Sequence, residues 1–286
     1  MNVAGRAGAN PARPLHVDLN FSRASLFACA GVLAALNAQA SQILSELTSG
    51  PVLDSIANLG GVSAVMWFAM YAALKIGFEA EPRPISRRDM TVVAMVAALV
   101  FLPLSLSGHA ALLLCALYLQ ATSRPATPAR RIALLLLSLT GPLIWGRILL
   151  RLLAGPVLAL DAHIVGFIVG TPIDGNTVRF AHSPKEFLIG GPCSSVHNIS
   201  LAVVLWTTAA VLFRARSDGR YAAYGSSMMA LMFMLNIARL CAIALFPASF
   251  DFLHIGAGAA MFGWAGLVGA GALAAFGVVD ASIRQR

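Results

Sequence analysis

The sequence predicts an all-α polytopic membrane protein of about eight transmembrane helices, with one larger outer-face segment. Three observations predict it. Hydrophobic residues make up 58% of the 286-residue chain and charged residues only 11%, against about 25% charged in an ordinary soluble domain. The mean hydropathy is +0.79. The charges, net +8, sit in short clusters between long apolar runs. So distributed, they form no basic face for nucleic acid, and they read as determinants of membrane orientation. The expected surroundings are membrane lipid, with no nucleic acid partner.

A spanning helix needs about 20 mostly apolar residues. Eight runs qualify as candidates: 24–45, 55–78, 90–106, 108–122, 131–153, 194–213, 221–246 and 253–279. The third and fourth are short, and Pro103, Ser105, Ser107 and Gly108 predict a tight helical hairpin between them. Arginines fall on alternate loops: Arg6, Arg13 and Arg23 before the first run, then Arg83, Arg87 and Arg88, then Arg124, Arg130 and Arg131, then Arg214, Arg216 and Arg220, and finally Arg284 and Arg286. The loop at 46–54 carries Glu46 and Asp54 and no cation. By the bias of Lys and Arg to the cytoplasmic side, both termini are cytoplasmic and 154–192 is the large outer segment. The chain then divides into a cytoplasmic tail 1–23, N-terminal helices 24–130, a catalytic core 131–279 and a tail 280–286. Arg23, the apolar stretch after it and Ala38-Gln39-Ala40 also have the form of a signal peptide and its cleavage site. The polytopic remainder favours a retained helix; cleavage would leave seven.

Within the outer segment, 155–170 is apolar but short and predicts an interfacial or re-entrant helix. Asp174-Gly175 marks a turn, and Val178 and Phe180 alternate with polar neighbours, which predicts a small β hairpin.

Of the four cysteines, Cys29, Cys115 and Cys241 lie inside apolar runs and read as packing residues. Cys193 differs. It follows Gly190-Gly191-Pro192 and opens the sixth run with Ser194 and Ser195. Proline suits a first helical position, which puts Cys193 in the first turn, where the helix dipole favours a thiolate. The two glycines leave room for a substrate backbone.

Arg239 sits well inside the seventh run, about 12 Å from its outer end at Pro247. An arginine so placed costs about 2.5–3.5 kcal/mol on insertion scales. Asn236 shares its helical face. Asp161 and Asp251 are the nearest candidate carboxylate partners. His254 begins the eighth run and is the expected proton acceptor. His197, four residues after Cys193, is a rival base on the same helical face. Small residues at Gly256, Ala259, Gly263, Gly266 and Ala270 predict close packing of the eighth helix. Arg147 and Arg151, four apart near the outer end of the fifth run, either bind an anionic substrate group or headgroup or snorkel.

At Cys193-Ser194-Ser195, Asn236-Ile237-Ala238-Arg239 and His254 the chain resembles the exosortase/archaeosortase family. The resemblance covers roughly 131–279. It implies a membrane cysteine transpeptidase of a bacterial or archaeal cytoplasmic membrane, active on the outer face. Its partners would be membrane-anchored proteins with C-terminal sorting signals of the PEP-CTERM kind, and a glycan or lipid-linked acceptor. It implies Cys193 as nucleophile with Arg239 and His254 as its partners, and no metal or organic cofactor. Ser195 stands where the family commonly has glycine; a side chain there would narrow the approach to the thiol or mark a different sorting signal.

Two other readings compete. A non-enzymatic transporter or channel would use Arg239 in an anion-binding site. A rhomboid-like serine protease would need a Gly-x-Ser-x-Gly motif, which the chain lacks.

Overall fold

The computed structural model describes residues 22–49, 59–102, 104, 106–215 and 218–284. The tail at 1–21, the first residues of the second expected run, Pro103, Ser105, Arg216 and Arg286 lie outside the described residues.

Helix α1 (Arg23–Ala38) starts at a capping box between Ser22 and Ser25. It breaks at Gln39 and continues at a bend of 55° into α2 (Ala40–Ser49). The Ala38-Gln39-Ala40 stretch is therefore a helix break in the fold, with the Gln39 side chain donating to the Ala35 carbonyl. Helices α3 (Ala64–Phe78), α4 (Arg87–Phe101) and α5 (Ser107–Thr122) follow, the first two capped by Ser63 and Ser86. Helix α6 (Pro128–Thr140) begins with Pro128 in its first turn and Thr127 as cap. It runs through a π-helical turn, Gly141–Trp145, into α7 (Gly146–Val169).

Among the described residues, four helical stretches are long and apolar enough to cross a membrane: Pro128–Val169, α8 (Ser195–Leu212), α9 (Gly219–Leu245) and α11 (Ala257–Arg284). The bent pair α1 and α2 makes a fifth if taken as one span. Helices α3, α4 and α5, at 15, 15 and 16 residues, reach only about 22–24 Å, short of a hydrocarbon core of about 30 Å. The eight apolar runs thus become helices of unequal reach. Large apolar side chains face outward all round them: Phe167 is 89% exposed and Phe101 83%. In water such a surface would be an aggregation liability; in lipid it is the solvated face.

The fifth run and the outer segment join in one helix. Its break falls at Leu153 (φ −125°, ψ 27°), three residues before Pro156. Proline has no N–H for the Leu152 carbonyl and its ring crowds that group, so the helix gives way there. Beyond the break, 154–169 stays helical, where a short interfacial helix was expected, and ends at Gly170 in the left-handed conformation (φ 73°).

The expected hairpin is a three-stranded antiparallel sheet: β1 (Ile173–Asp174), β2 (Thr177–Arg179) and β3 (Glu186–Leu188), in that order. Val178 pairs with Ile173 on one side and Phe187 on the other. Gly175, at φ 58°, makes the β1–β2 turn. The sheet lies close on α7, since a Cβ at Gly166 would stand 2.5 Å from Ile173 Cγ2.

Two apolar cores result. The larger one joins α1, α3, α4, α5 and α6 to the middle of α8, with Phe27, Leu112, Leu136 and Val204 fully buried. The smaller one joins α7, the sheet and the last turns of α9, through Ala162, Val178, Ile189 and Ile243. Cys193 belongs to this second core.

The arginine clusters also sort by position. Arg23, Arg83, Arg124 and Arg214 line one hollow with Glu79 and Glu81. Arg23 there binds Asp89 at 2.8 Å, and Arg131 donates to the Val211 carbonyl at the C-terminal end of α8. The other ends of α1 and α8, at Gln39 and His197, line a different cavity with Arg147 and Arg151. The bundle therefore has a strongly basic end and, a helix length away, the end that carries Cys193.

Candidate active site

Cys193 closes a short 3-10 turn, Gly191–Cys193, and stands just before helix α8, whose N-cap is Ser194 in extended conformation (φ −76°, ψ 149°). This corrects the expectation of a cysteine in the first helical turn. Pro192 starts the 3-10 turn and not the long helix. His254 is the last residue of a short helix, α10 (Phe250–His254), separated from α11 by Ile255 and Gly256. It too precedes its long helix. Both side chains hang from short turns at the rim, where the local chain can set them to face each other. Cys193 Sγ lies 3.3 Å from His254 Nε2, although 61 residues separate them in sequence.

The sheet holds both partners. Asn176 and Ile189 exchange two bonds of 2.9 Å, which anchors the strand leading into Gly190 and Cys193. Phe180 and Phe187 pack on Phe250, and Phe250 stacks on the His254 ring with centroids 4.9 Å apart. The Ala181 N–H donates to the Ala244 carbonyl at 2.8 Å, tying the sheet to the end of α9.

Below the thiol lies a buried polar network. Asn236 Nδ2 donates to the Cys193 carbonyl at 2.8 Å and approaches Ser195 Oγ at 3.3 Å. Asn236 Oδ1 accepts from Asn198 Nδ2 at 3.0 Å. Asp161, from α7, accepts from both the Ser195 N–H and the Ser195 hydroxyl at 2.9 Å each. Asp161, Ser195 and Asn236 are each 3% exposed. The carboxylate occupies the place of an N-cap side chain and faces the positive end of the α8 dipole. Ser194, at the cap position itself, makes no capping bond; its hydroxyl is buried without a hydrogen-bond partner.

The remaining sequence candidates fall in two places. Arg239 is half-buried one turn beyond Asn236, beside a cavity of about 60 Å³ that Asn236, Asn198, Ala259 and Phe262 also line. Its Nε is buried without a hydrogen-bond partner. Neither carboxylate named as its partner pairs with it: Asp161 is committed to Ser195, and Asp251 is exposed. His197 faces a cavity of about 720 Å³ together with Arg147 and Arg151. The helical spacing argument for His197 fails because Cys193 lies outside the helix. Arg147 Nη1 also comes within 3.4 Å of His109 Nε2 on α5.

The Ser195 side chain, expected to narrow the approach to the thiol, is instead engaged by Asp161 through its hydroxyl. Gly190 and Gly191 are at ordinary backbone angles, and a Cβ on either would meet nothing closer than 3.5 Å. Neither is required by the fold. Cys115 is fully buried with its Sγ on the Phe27 carbonyl, Cys241 is buried in the second core, and all four cysteines are free.

A thiol and an imidazole in contact, with an amide bound to the cysteine carbonyl and a guanidinium one helical turn beyond that amide, form a constellation suited to nucleophilic acyl transfer. No protein-family description, curated protein or solved structure matches the chain.

Proposed function

We propose that the chain is a membrane-embedded cysteine peptidase or transpeptidase that cleaves a C-terminal sorting signal from exported proteins. The observation that carries the reading is the 3.3 Å approach of Cys193 Sγ to His254 Nε2. In this reading all eight apolar runs count as spans. The basic end faces the cytoplasm, by the bias of arginine to that side, and Cys193 faces outward.

The substrate's apolar tail lies in the groove of about 470 Å³ that α3, α8, α9 and α11 form, past Ala202, Leu205, Gly263 and Leu267. Asn198 lines both this groove and the small cavity at Arg239, so a tail in the groove leads up to the polar network. His254 takes the Cys193 proton and the thiolate attacks the peptide carbonyl. Arg239 donates to the oxyanion, a role that the absence of an ion-pair partner for it among the described residues leaves open. The C–N bond breaks, His254 returns the proton to the leaving amine, and a thioester remains. An amine or hydroxyl of a surface acceptor then attacks the thioester; the C–S bond breaks and the acceptor's proton passes through His254 to the thiolate. With water as acceptor the outcome is hydrolysis.

The test is co-expression with membrane-anchored candidate substrates, read by mass spectrometry of the new C-terminus. Cys193→Ala should insert normally and leave substrate uncleaved, while a transporter that uses Arg239 for an anion would be indifferent to Cys193→Ser. Full processing by Cys193→Ala would remove the nucleophile and the reading with it.

A further inference from the structure

One cavity has no part in the chemistry proposed above. It measures about 720 Å³ and lies across the Gly191-Pro192 turn from the thiol–imidazole pair. From one wall α7 presents Arg147 and Arg151; from the facing walls come Gln39, Gln42, Ser63 and His197. The remaining surface is apolar, from Met66, Leu143, Leu150 and Val196.

Two guanidinium groups four residues apart on one helix repel each other, and among the described residues neither forms an ion pair. Arg147 instead meets the imidazole of His109. One carboxylate comes near the rim: Glu46 Oε2 stands 3.6 Å from where a Cβ on Gly61 would be. Among the described residues, one negative charge against two guanidiniums leaves the cavity net positive. Arg147 and Arg151 are both exposed at this cavity, so the excess positive charge is open to an anion. The fork geometry of arginine suits phosphate oxygens, and the amides and hydroxyls opposite supply further hydrogen bonds. The apolar walls suit the first carbons of an acyl chain rather than water.

We infer that this cavity binds the phosphate of a membrane lipid headgroup, with Arg147 and Arg151 on the phosphate oxygens and the chains leaving over Leu150 and Met66. The inference needs the membrane setting and not the thiol chemistry. A bound lipid would form the wall behind Gly191 and Pro192, on the far side of the turn from His254.

The experiment uses the full-length protein purified in a non-ionic detergent and native mass spectrometry to titrate short-chain phosphatidic acid. The uncharged diacylglycerol of the same chain length and inorganic phosphate serve as the other probes. Phosphatidic acid should bind one per chain and diacylglycerol should not. The R147Q/R151Q variant should weaken binding about 10-fold or more, R147K/R151K should retain most of it, and Leu150→Trp, which fills the cavity and leaves its charge, should also weaken it about 10-fold. Wild-type affinity in both R147Q/R151Q and Leu150→Trp would overturn the site. Inorganic phosphate binding as tightly as phosphatidic acid would overturn the lipid in favour of a free anion. Should R147Q/R151Q not fold, Leu150→Trp and the comparison of probes on the wild type decide alone. Cys193→Ala should bind phosphatidic acid like the wild type, so loss of cleavage and loss of lipid are read separately.

Discussion

Cys193 and His254 owe their meeting to what each lacks, a place inside a long helix. A residue in a helix has its direction fixed by the helix axis, whereas the 3-10 turn at Gly191–Cys193 and the short helix Phe250–His254 leave each side chain free to be aimed by packing. His254→Ala should therefore stop substrate processing, while His197→Ala should leave most of it, since His197 faces the Arg147 cavity. Loss only in His197→Ala would exchange the two roles. Gly190→Ala offers a sharper probe. A Cβ there meets only Pro192 Cδ at 3.8 Å, so stability should change by no more than about 0.5 kcal/mol. If substrate passes along this turn, processing should still fall, seen as a raised KM with the melting temperature unchanged. Asn236→Ala is different: it strips the bond to the Cys193 carbonyl and leaves buried groups unpaired, at a cost of about 1–3 kcal/mol.

Among the elements, the outer segment decides the geometry of the site. Its sheet fixes the strand before Cys193 through Asn176 and the ring of His254 through Phe250. Phe250→Ala should remove the stacking face without touching the thiol, so alkylation of Cys193 should persist while cleavage slows. Helix α8 is held at its N-terminus by a carboxylate from another helix. Asp161→Ala should cost about 1–3 kcal/mol, because the Ser195 N–H and hydroxyl lose their acceptor together. Ser195→Gly keeps the backbone bond and should cost less. Thermal unfolding in detergent ranks the two; an equal or larger loss in Ser195→Gly would mean that the hydroxyl, not the helix end, is what Asp161 holds. The small-residue stripe on α11 divides its work. Gly266 lies against Met232 of α9, with a Cβ there only 2.9 Å from its sulfur, while Gly263 has nothing within 4 Å and opens on the groove.

For the whole molecule, the two ends of the bundle differ in charge and in chemistry. Arg23, Arg83, Arg124 and Arg214 share one end, and Cys193 lies at the other. In a background with the remaining cysteines replaced, a membrane-impermeant maleimide should label Cys193 in intact cells. Thr127→Cys, at the basic end, should react only after permeabilisation. The reverse pattern would invert the topology and place the thiol where exported substrates do not reach it.

Composition, the apolar runs and the alternation of arginine clusters were enough to read a helical membrane protein with one larger segment before Cys193. Asn236 and Arg239 stood out in the sequence because a polar side chain inside an apolar run is costly, and Cys193 and His254 because each opens an apolar run. The reach of the individual helices was not legible, since hydropathy marks apolar stretches and not where a break such as Gln39 or Leu153 falls. Nor was the role of Asp161, whose partner lies 34 residues away on another helix. The choice between His254 and His197 as neighbour of the thiol hung on whether Cys193 stood inside the helix or before it. Sequence periodicity carries no information across a turn; only packing in three dimensions, through the sheet and Phe250, brought His254 to the sulfur and turned His197 toward the arginines.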